Sequence, residues 1–140
     1  MNELQAFFAE NVSVGVTEDF VISERFKDKD GNPIKWKLRA LNESENEEIR
    51  KSATKRTKMK KNLYLPEVDN NEYMAKLAAA SVVFPDLKNA DLQKSYGVLG
   101  AENLLKKMLL SGEYGVLIEK VQEINGFDND INDLKEDIKN

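Results

Sequence analysis

Residues 28–48 read DKDGNPIKWKLRALNESENEE, and the hydrophobic period changes inside this stretch. From residue 34 to residue 41, apolar and basic side chains alternate, which is the period of a β-strand with one solvated face. The preceding residues 28–33 are Asp, Lys, Gly, Asn and Pro, a composition that predicts a turn. Residues 19–26 are rich in Phe, Val and Ile and supply the partner strand of an antiparallel hairpin. Residues 12–16 are a candidate third strand.

After residue 41 the pattern becomes helical. A helix over residues 43–57 can begin with either of two capping boxes, Ser44 with Glu47 or Asn42 with Glu45. In both alternatives the side chain of the first residue accepts a hydrogen bond from a free backbone N–H, and the glutamate bonds back. The sequence therefore predicts a change from strand to helix near residue 42.

Further helices are predicted downstream. Asp69 with Glu72 repeats the capping signal, and the helix that follows is expected to reach Phe84 because Pro85 stops it. The other segments with helical periodicity are residues 90–96, 101–110 and 113–125. Because a small sheet precedes the helices, the predicted fold class is α+β, helix-dominated: an N-terminal antiparallel β-hairpin of two or three strands, followed by four or five short α-helices.

The length of 140 residues indicates one domain without a linker or repeat. Within it the composition suggests four sections. Residues 1–12 form an N-terminal arm or short amphipathic helix, residues 13–41 the β-hairpin section, residues 42–127 the helical section, and residues 128–140 an acidic amphipathic tail.

The chain contains neither Cys nor His. Disulfides, thiolate nucleophiles and thiolate or imidazole metal sites are therefore excluded, and so is histidine general-base catalysis. No apolar run approaches the length of a membrane-spanning helix, and the first residues do not resemble a secretory signal. We expect a non-enzymatic, cytoplasmic binding protein with no cofactor, no metal and no membrane partner.

Residues 50–61 are strongly basic. The segment carries +7 while the whole chain carries −4, so the rest carries −11. It could bind nucleic acid, form the end of a helix with an acidic start, or contact an acidic protein. The sequence pI near 5.0 and the absence of interleaved aromatic residues argue against nucleic acid. The basic residues are Arg50, Lys51, Lys55, Arg56, Lys58, Lys60 and Lys61.

Apolar side chains in the last two helices and the tail are candidates for partner binding. Their alternative role is packing in the core. In the functional interpretation they bind an amphipathic helix of another protein in a groove, or offer one. The candidate residues are Leu104, Leu105, Met108, Leu109, Tyr114, Leu117, Ile131, Leu134 and Ile138. Leu4, Phe7 and Phe8 form a similar apolar stripe near the N-terminus.

Several stretches together resemble the XkdN-like phage tail assembly chaperones, which are small proteins encoded in the tail operons of long-tailed phages and prophages. The resemblance covers nearly the whole chain. It is carried by SVVFPDL at 81–87, LQKSYGV at 92–98, GAENLLK at 100–106, GEY at 112–114 and EKVQEINGF at 119–127, and is joined by DGNPIKW at 30–36 and PEVD at 66–69.

The resemblance implies a non-enzymatic role in tail assembly. Such a chaperone is expected to bind the tape measure protein in the bacterial host cytoplasm, to keep it soluble and to help bring tail tube subunits to it. It is then expected to be absent from the mature virion. Two rival functions remain open: a structural tail or connector component of the virion, and a nucleic-acid-binding regulator that uses residues 50–61.

Overall fold

The computed structural model describes residues 2–12 and 16–127. Within these ranges the chain forms five strands and five α-helices, which confirms the predicted α+β class. In chain order the elements are β1 (Thr17–Phe20), β2 (Trp36–Arg39), α1 (Glu43–Ser52), β3 (Thr54–Lys60), β4 (Leu63–Val68), α2 (Asn70–Ser81), β5 (Val82–Phe84), α3 (Ala90–Ser95), α4 (Ala101–Met108) and α5 (Ser111–Ile124).

The first sheet is antiparallel and has β2 at its centre, between β1 and β5. Strand β1 pairs with β2 in the register that places Thr17 opposite Arg39 and Phe20 opposite Trp36. The alternation in β2 gives it one buried face, where Trp36 and Leu38 are almost completely buried. The predicted N-terminal hairpin is therefore present.

The described third strand of this sheet is β5, in a segment that was predicted to be helical. Helix α2 ends at Ser81 instead of continuing to Phe84, so that part of the helix prediction is wrong. Two consecutive β-branched residues, Val82 and Val83, favour extended backbone, and the pairing of Val82 with Leu38 buries the first of them. Of the candidate strand at 12–16, residues 13–15 lie outside the described part.

Helix α1 begins with one of the two predicted caps. The Asn42 side chain accepts from the Glu45 backbone N–H at 2.9 Å, and the Glu45 carboxylate accepts from the Asn42 N–H at 3.2 Å. The same carboxylate receives the Arg39 guanidinium at 2.7 Å. Glu45 therefore also joins the end of β2 to the start of α1. The box built on Ser44 is not used, because Ser44 lies inside the helix that Asn42 caps.

Residues 54–68 form a second antiparallel hairpin that the sequence analysis missed. Helix α1 stops at Ser52, and β3 and β4 pair with each other around a turn in which Asn62 has φ +65°. The prediction of a helix to residue 57 is therefore wrong. The helix ends early for a local reason. Residues 53–61 lack the apolar stripe that a helix would bury, and the β-branched Thr54 and Thr57 favour a strand.

The core lies where the helices pack on one another and on the buried face of the first sheet. Helix α2 contacts α1, α4, α5 and β5, and α5 contacts β2. The buried apolar residues of this cluster are Ile22, Trp36, Leu38, Leu77, Ala78, Val82, Leu87, Leu104, Leu105, Met108, Leu109, Leu117 and Val121.

The described N-terminal residues lie apart from this core. Leu4–Phe7 and Ala9–Asn11 form two short 3₁₀ turns in which no residue is buried. The predicted arm or amphipathic helix thus takes the form of an exposed segment with no α-helix in residues 2–12.

An ion pair joins the loop between the first two strands to the start of α5. The Arg25 guanidinium contacts the Glu113 carboxylate at 2.6 Å and donates to the Met108 carbonyl at 2.8 Å. The Glu113 carboxylate also accepts from the Ser23 hydroxyl and from the Leu110 backbone N–H. The Arg25 hydrogen bond, followed by those from Ser23 and Leu110, lowers the pKa of Glu113 from 4.5 to about 2.

This lowered pKa predicts an acid-dependent loss of stability. A carboxyl group with a depressed pKa in the folded state contributes stability above its ordinary pKa of 4.5, and that contribution is lost as pH falls toward about 2. Urea unfolding across this interval should therefore show a smaller loss of unfolding free energy for Glu113→Gln than for the wild type. Glu119→Gln, on an exposed position of the same helix, is the control and should follow the wild type. Equal losses for all three proteins would contradict the assignment.

Candidate functional site

Most of the predicted partner-binding side chains in α4 and α5 lie in the core. Leu104, Leu105 and Leu117 have no exposed surface, and Met108 and Leu109 are less than a tenth exposed. The structure thus assigns these five residues to packing, since a partner cannot reach them in this conformation. Their helical spacing is the same for a core face and for a docking face, which is why the sequence did not separate the two.

Tyr114 and the tail residues have different positions. The Tyr114 ring is partly buried against the core, and this burial raises the pKa of its hydroxyl. Ile131, Leu134 and Ile138 lie outside the described residues, so their role as a docking stripe stays a prediction.

The predicted basic segment is divided between two elements. Arg50 and Lys51 lie in the last turn of α1 and face carboxylates of the same helix, Glu43 at 3.8 Å and Glu47 at 3.3 Å. This is the acidic-start, basic-end arrangement that the helix dipole favours. The remaining five basic residues lie on the β3–β4 hairpin and its turn: Lys55, Arg56, Lys58, Lys60 and Lys61.

The base of the β3–β4 hairpin is fixed to α1 and α2. The backbone N–H of Asp69 donates to the Ala53 carbonyl at 2.9 Å, which closes the hairpin where the chain leaves α1 and enters α2. The Lys55 ammonium lies 3.4 Å from Asp69 and 3.3 Å from Glu72. Hydrogen bonds to Glu72 and then Asp69 raise the pKa of Lys55. The Glu72 backbone N–H lowers the pKa of Asp69, and hydrogen bonds from Lys76 and then Lys55 lower the pKa of Glu72.

Beyond this base, the hairpin contacts the rest of the fold sparsely. Every residue of β4 from Leu63 to Glu67 is exposed, and only Val68 at the base is partly buried. Residues opposite each other in an antiparallel pair lie on the same face. Because residues are exposed on both faces, the hairpin projects into solvent instead of covering the core.

The pairing register gives the two faces of the β3–β4 hairpin different chemistry. Lys58 is opposite Tyr64 and Arg56 is opposite Pro66, so two cations and an aromatic ring share one face. A register shift between Lys58 and Lys60 places Lys60 opposite Leu63, on the face that also carries Leu65. One face is therefore basic and aromatic, and the other carries exposed leucines together with the charged residues Lys55, Lys60 and Glu67.

Exposed apolar side chains are found on the hairpin and on the N-terminal segment. Leu63, Tyr64 and Leu65 are 44–49% exposed. In the N-terminal segment, Leu4 is 67% and Phe7 78% exposed. The apolar stripe of the N-terminal segment was predicted from the sequence, whereas the exposed apolar residues of the hairpin were not. A sequence signal for strand β4 was present, because a short apolar run between Asn62 and the cap residue Asp69 is typical of a strand.

These surfaces define the candidate site as a binding surface. Among the described residues, no helix is long and apolar enough to span a membrane. No group of three or more metal-ligating acidic side chains is clustered in residues 2–12 and 16–127. Candidate contact surfaces include the β3–β4 hairpin, with its exposed cations and apolar side chains, and the apolar N-terminal segment. Leu99, Leu110 and Phe84 are exposed apolar residues on the body of the fold.

Three comparisons relate the chain to known proteins. The family model described as phage XkdN-like tail assembly chaperone protein matches residues 4–139. The phage-like element PBSX protein XkdN of Bacillus subtilis (strain 168) is 33% identical over 120 residues, which are 85% of this chain and 81% of that protein. Protein YqbN of the same strain is 31% identical over 137 residues, or 96% of this chain and 92% of that protein. The crystal structure of YqbN matches with a TM-score of 0.78 and 26% identity, covering 91% of this chain and 98% of the other.

The different burial of two leucines gives a test of core against surface. Replacing the buried Leu104 with Ala should lower the unfolding free energy by about 2–5 kcal/mol, because the lost contacts and the cavity left behind both destabilise the fold. Replacing the exposed Leu65 with Ala should cost less than about 1 kcal/mol. Urea denaturation of the two variants measures both values. A similar cost at the two positions would mean that the hairpin belongs to the core.

Proposed function

Because the chain belongs to the family of phage XkdN-like tail assembly chaperones, we propose that it binds the tape measure protein and keeps it soluble during tail assembly. It does so in the cytoplasm of the bacterial host, helps to recruit tail tube subunits, and leaves before the virion is complete. The observation that carries this proposal is the family match over residues 4–139, which spans nearly the whole chain.

The surface of the molecule supports a chaperone of this kind. A protein that holds an aggregation-prone chain needs apolar side chains at its surface, and the hairpin and the N-terminal segment both expose them. It also needs charge to keep the complex in solution, and 33% of the residues are charged. The exposed apolar residues of the hairpin and the N-terminal segment lie outside the core, so a partner can cover them without unfolding the domain.

The proposal predicts that this protein raises the solubility of its tape measure protein. The tape measure protein of the same phage or prophage should be recovered mainly in the insoluble fraction when expressed alone. It should move to the soluble fraction and co-purify with a tagged copy of this chain when the two are expressed together. Mass spectrometry of the eluate, and of purified tails, identifies the partners and shows whether the chain stays in the particle.

Other outcomes would favour the rival functions. Recovery of the chain in finished tails would identify a structural tail or connector component. Retention of nucleic acid, falling steeply as salt is raised, would favour a regulator that uses residues 50–61. Co-expression without any gain in soluble tape measure protein, and without co-purification, would contradict the chaperone proposal.

The apolar stripe of the tail predicts a second contact with the partner. Replacing Ile131, Leu134 and Ile138 with Ser should leave the thermal midpoint unchanged and lower the amount of co-purified tape measure protein, because these side chains would bind the partner in a groove. Asn129→Ser with Asn132→Ser, in the same segment, is the control. A large loss of thermal stability in the triple variant would show instead that the stripe packs on the domain.

A further inference from the structure

We propose that the β3–β4 hairpin binds the tape measure protein, and that the bound part of that partner is an acidic, amphipathic segment. This inference rests on the proposed function and adds to it the binding surface and the chemistry of the bound segment. The hairpin projects from the body of the fold. A two-stranded hairpin by itself is only marginally stable in water.

The charges of the hairpin select an acidic partner. Arg56, Lys58, Lys60 and Lys61 have no carboxylate within ion-pair distance in the described part of the chain, whereas Lys55 at the base is paired with Asp69 and Glu72. As far as residues 2–12 and 16–127 are concerned, four cations on one short projection are thus available to carboxylates of another molecule. Charges arranged in this way steer association and fix the orientation of the partner.

The apolar side chains of the hairpin select a polypeptide over a nucleic acid. Leu63 and Leu65 are about half exposed on the face opposite to Arg56 and Lys58. Phosphates gain nothing from these two leucines, and the −11 carried by the chain outside residues 50–61 repels a polyanion. An acidic segment with an apolar stripe matches the face of the leucines. Its apolar side chains cover the two leucines while its carboxylates meet Lys60, opposite Leu63, and are attracted by the cations of the other face.

The test uses full-length protein and overlapping 30-residue peptides that span the tape measure protein. The wild-type chain should bind a subset of peptides enriched in acidic amphipathic sequences. Arg56→Glu with Lys58→Glu should weaken that binding by about tenfold or more, and Leu63→Ser with Leu65→Ser should also weaken it. Lys88→Glu with Lys94→Glu is the matched control, since both lysines are exposed and the net charge changes equally. The control should bind like the wild type.

Folding of each variant is checked by circular dichroism and thermal unfolding. A photo-crosslinking amino acid at position 64, in place of Tyr64, gives a readout independent of affinity. It should form adducts with the tape measure protein in cells that express both proteins. The same amino acid in place of Tyr96, on the body of the protein, should not.

The outcomes separate this inference from the proposed function. If the wild type solubilises the tape measure protein but the hairpin variants bind the peptides equally well, the hairpin inference fails and the proposed function stands. Adducts at position 64 that contain only nucleic acid or a second copy of this chain would also overturn it. If co-expression shows no binding at all, the proposed function fails, and this inference fails with it.

Discussion

Helix α2 is the element on which the rest of the domain depends, because it packs against three other helices and one strand. Its buried residues are mostly small: Ala75, Ala78 and Ser81, with Leu77 as the large exception. Small side chains let neighbouring helices approach closely, so α1, α4 and α5 can all contact the same helix.

Polar side chains at the ends of elements hold this packing in register. The Asn125 side chain, just after α5, accepts from the Leu41 backbone N–H at 2.8 Å and donates to the Ser81 hydroxyl at 3.3 Å. It therefore joins α5 to the segment between β2 and α1 and to the end of α2. The Tyr73 hydroxyl of α2 donates to the side chain of Asn46 in α1. Both contacts satisfy polar groups that burial would otherwise penalise.

The β3–β4 hairpin lies outside this packed core. Helices α1 and α2 contact each other, so the chain that joins them can project away from the domain, anchored by the Asp69 to Ala53 hydrogen bond and by Lys55. Such a projection can bind a partner, or differ in sequence, with little effect on the core. If the hairpin binds the partner as proposed, the part that folds and the part that binds are subject to different constraints.

Local patterns in the sequence determined much of this fold. The alternation through Trp36 and Leu38 set the central strand, and the caps at Asn42 and Asp69 set the starts of two helices, since both depend on neighbouring residues. The absence of Cys and His excluded whole classes of site chemistry, and the family resemblance, confirmed by the comparisons, indicated the general role. The second hairpin was not predicted because the basic residues of β3 have no clear hydrophobic period and the short apolar run of β4 was not interpreted as a strand. Only the tertiary structure decided which apolar stripes are buried and where the basic residues lie. Leu104 lies in a helix and Leu65 in a strand, and only the elements that pack against each of them make the first buried and the second exposed.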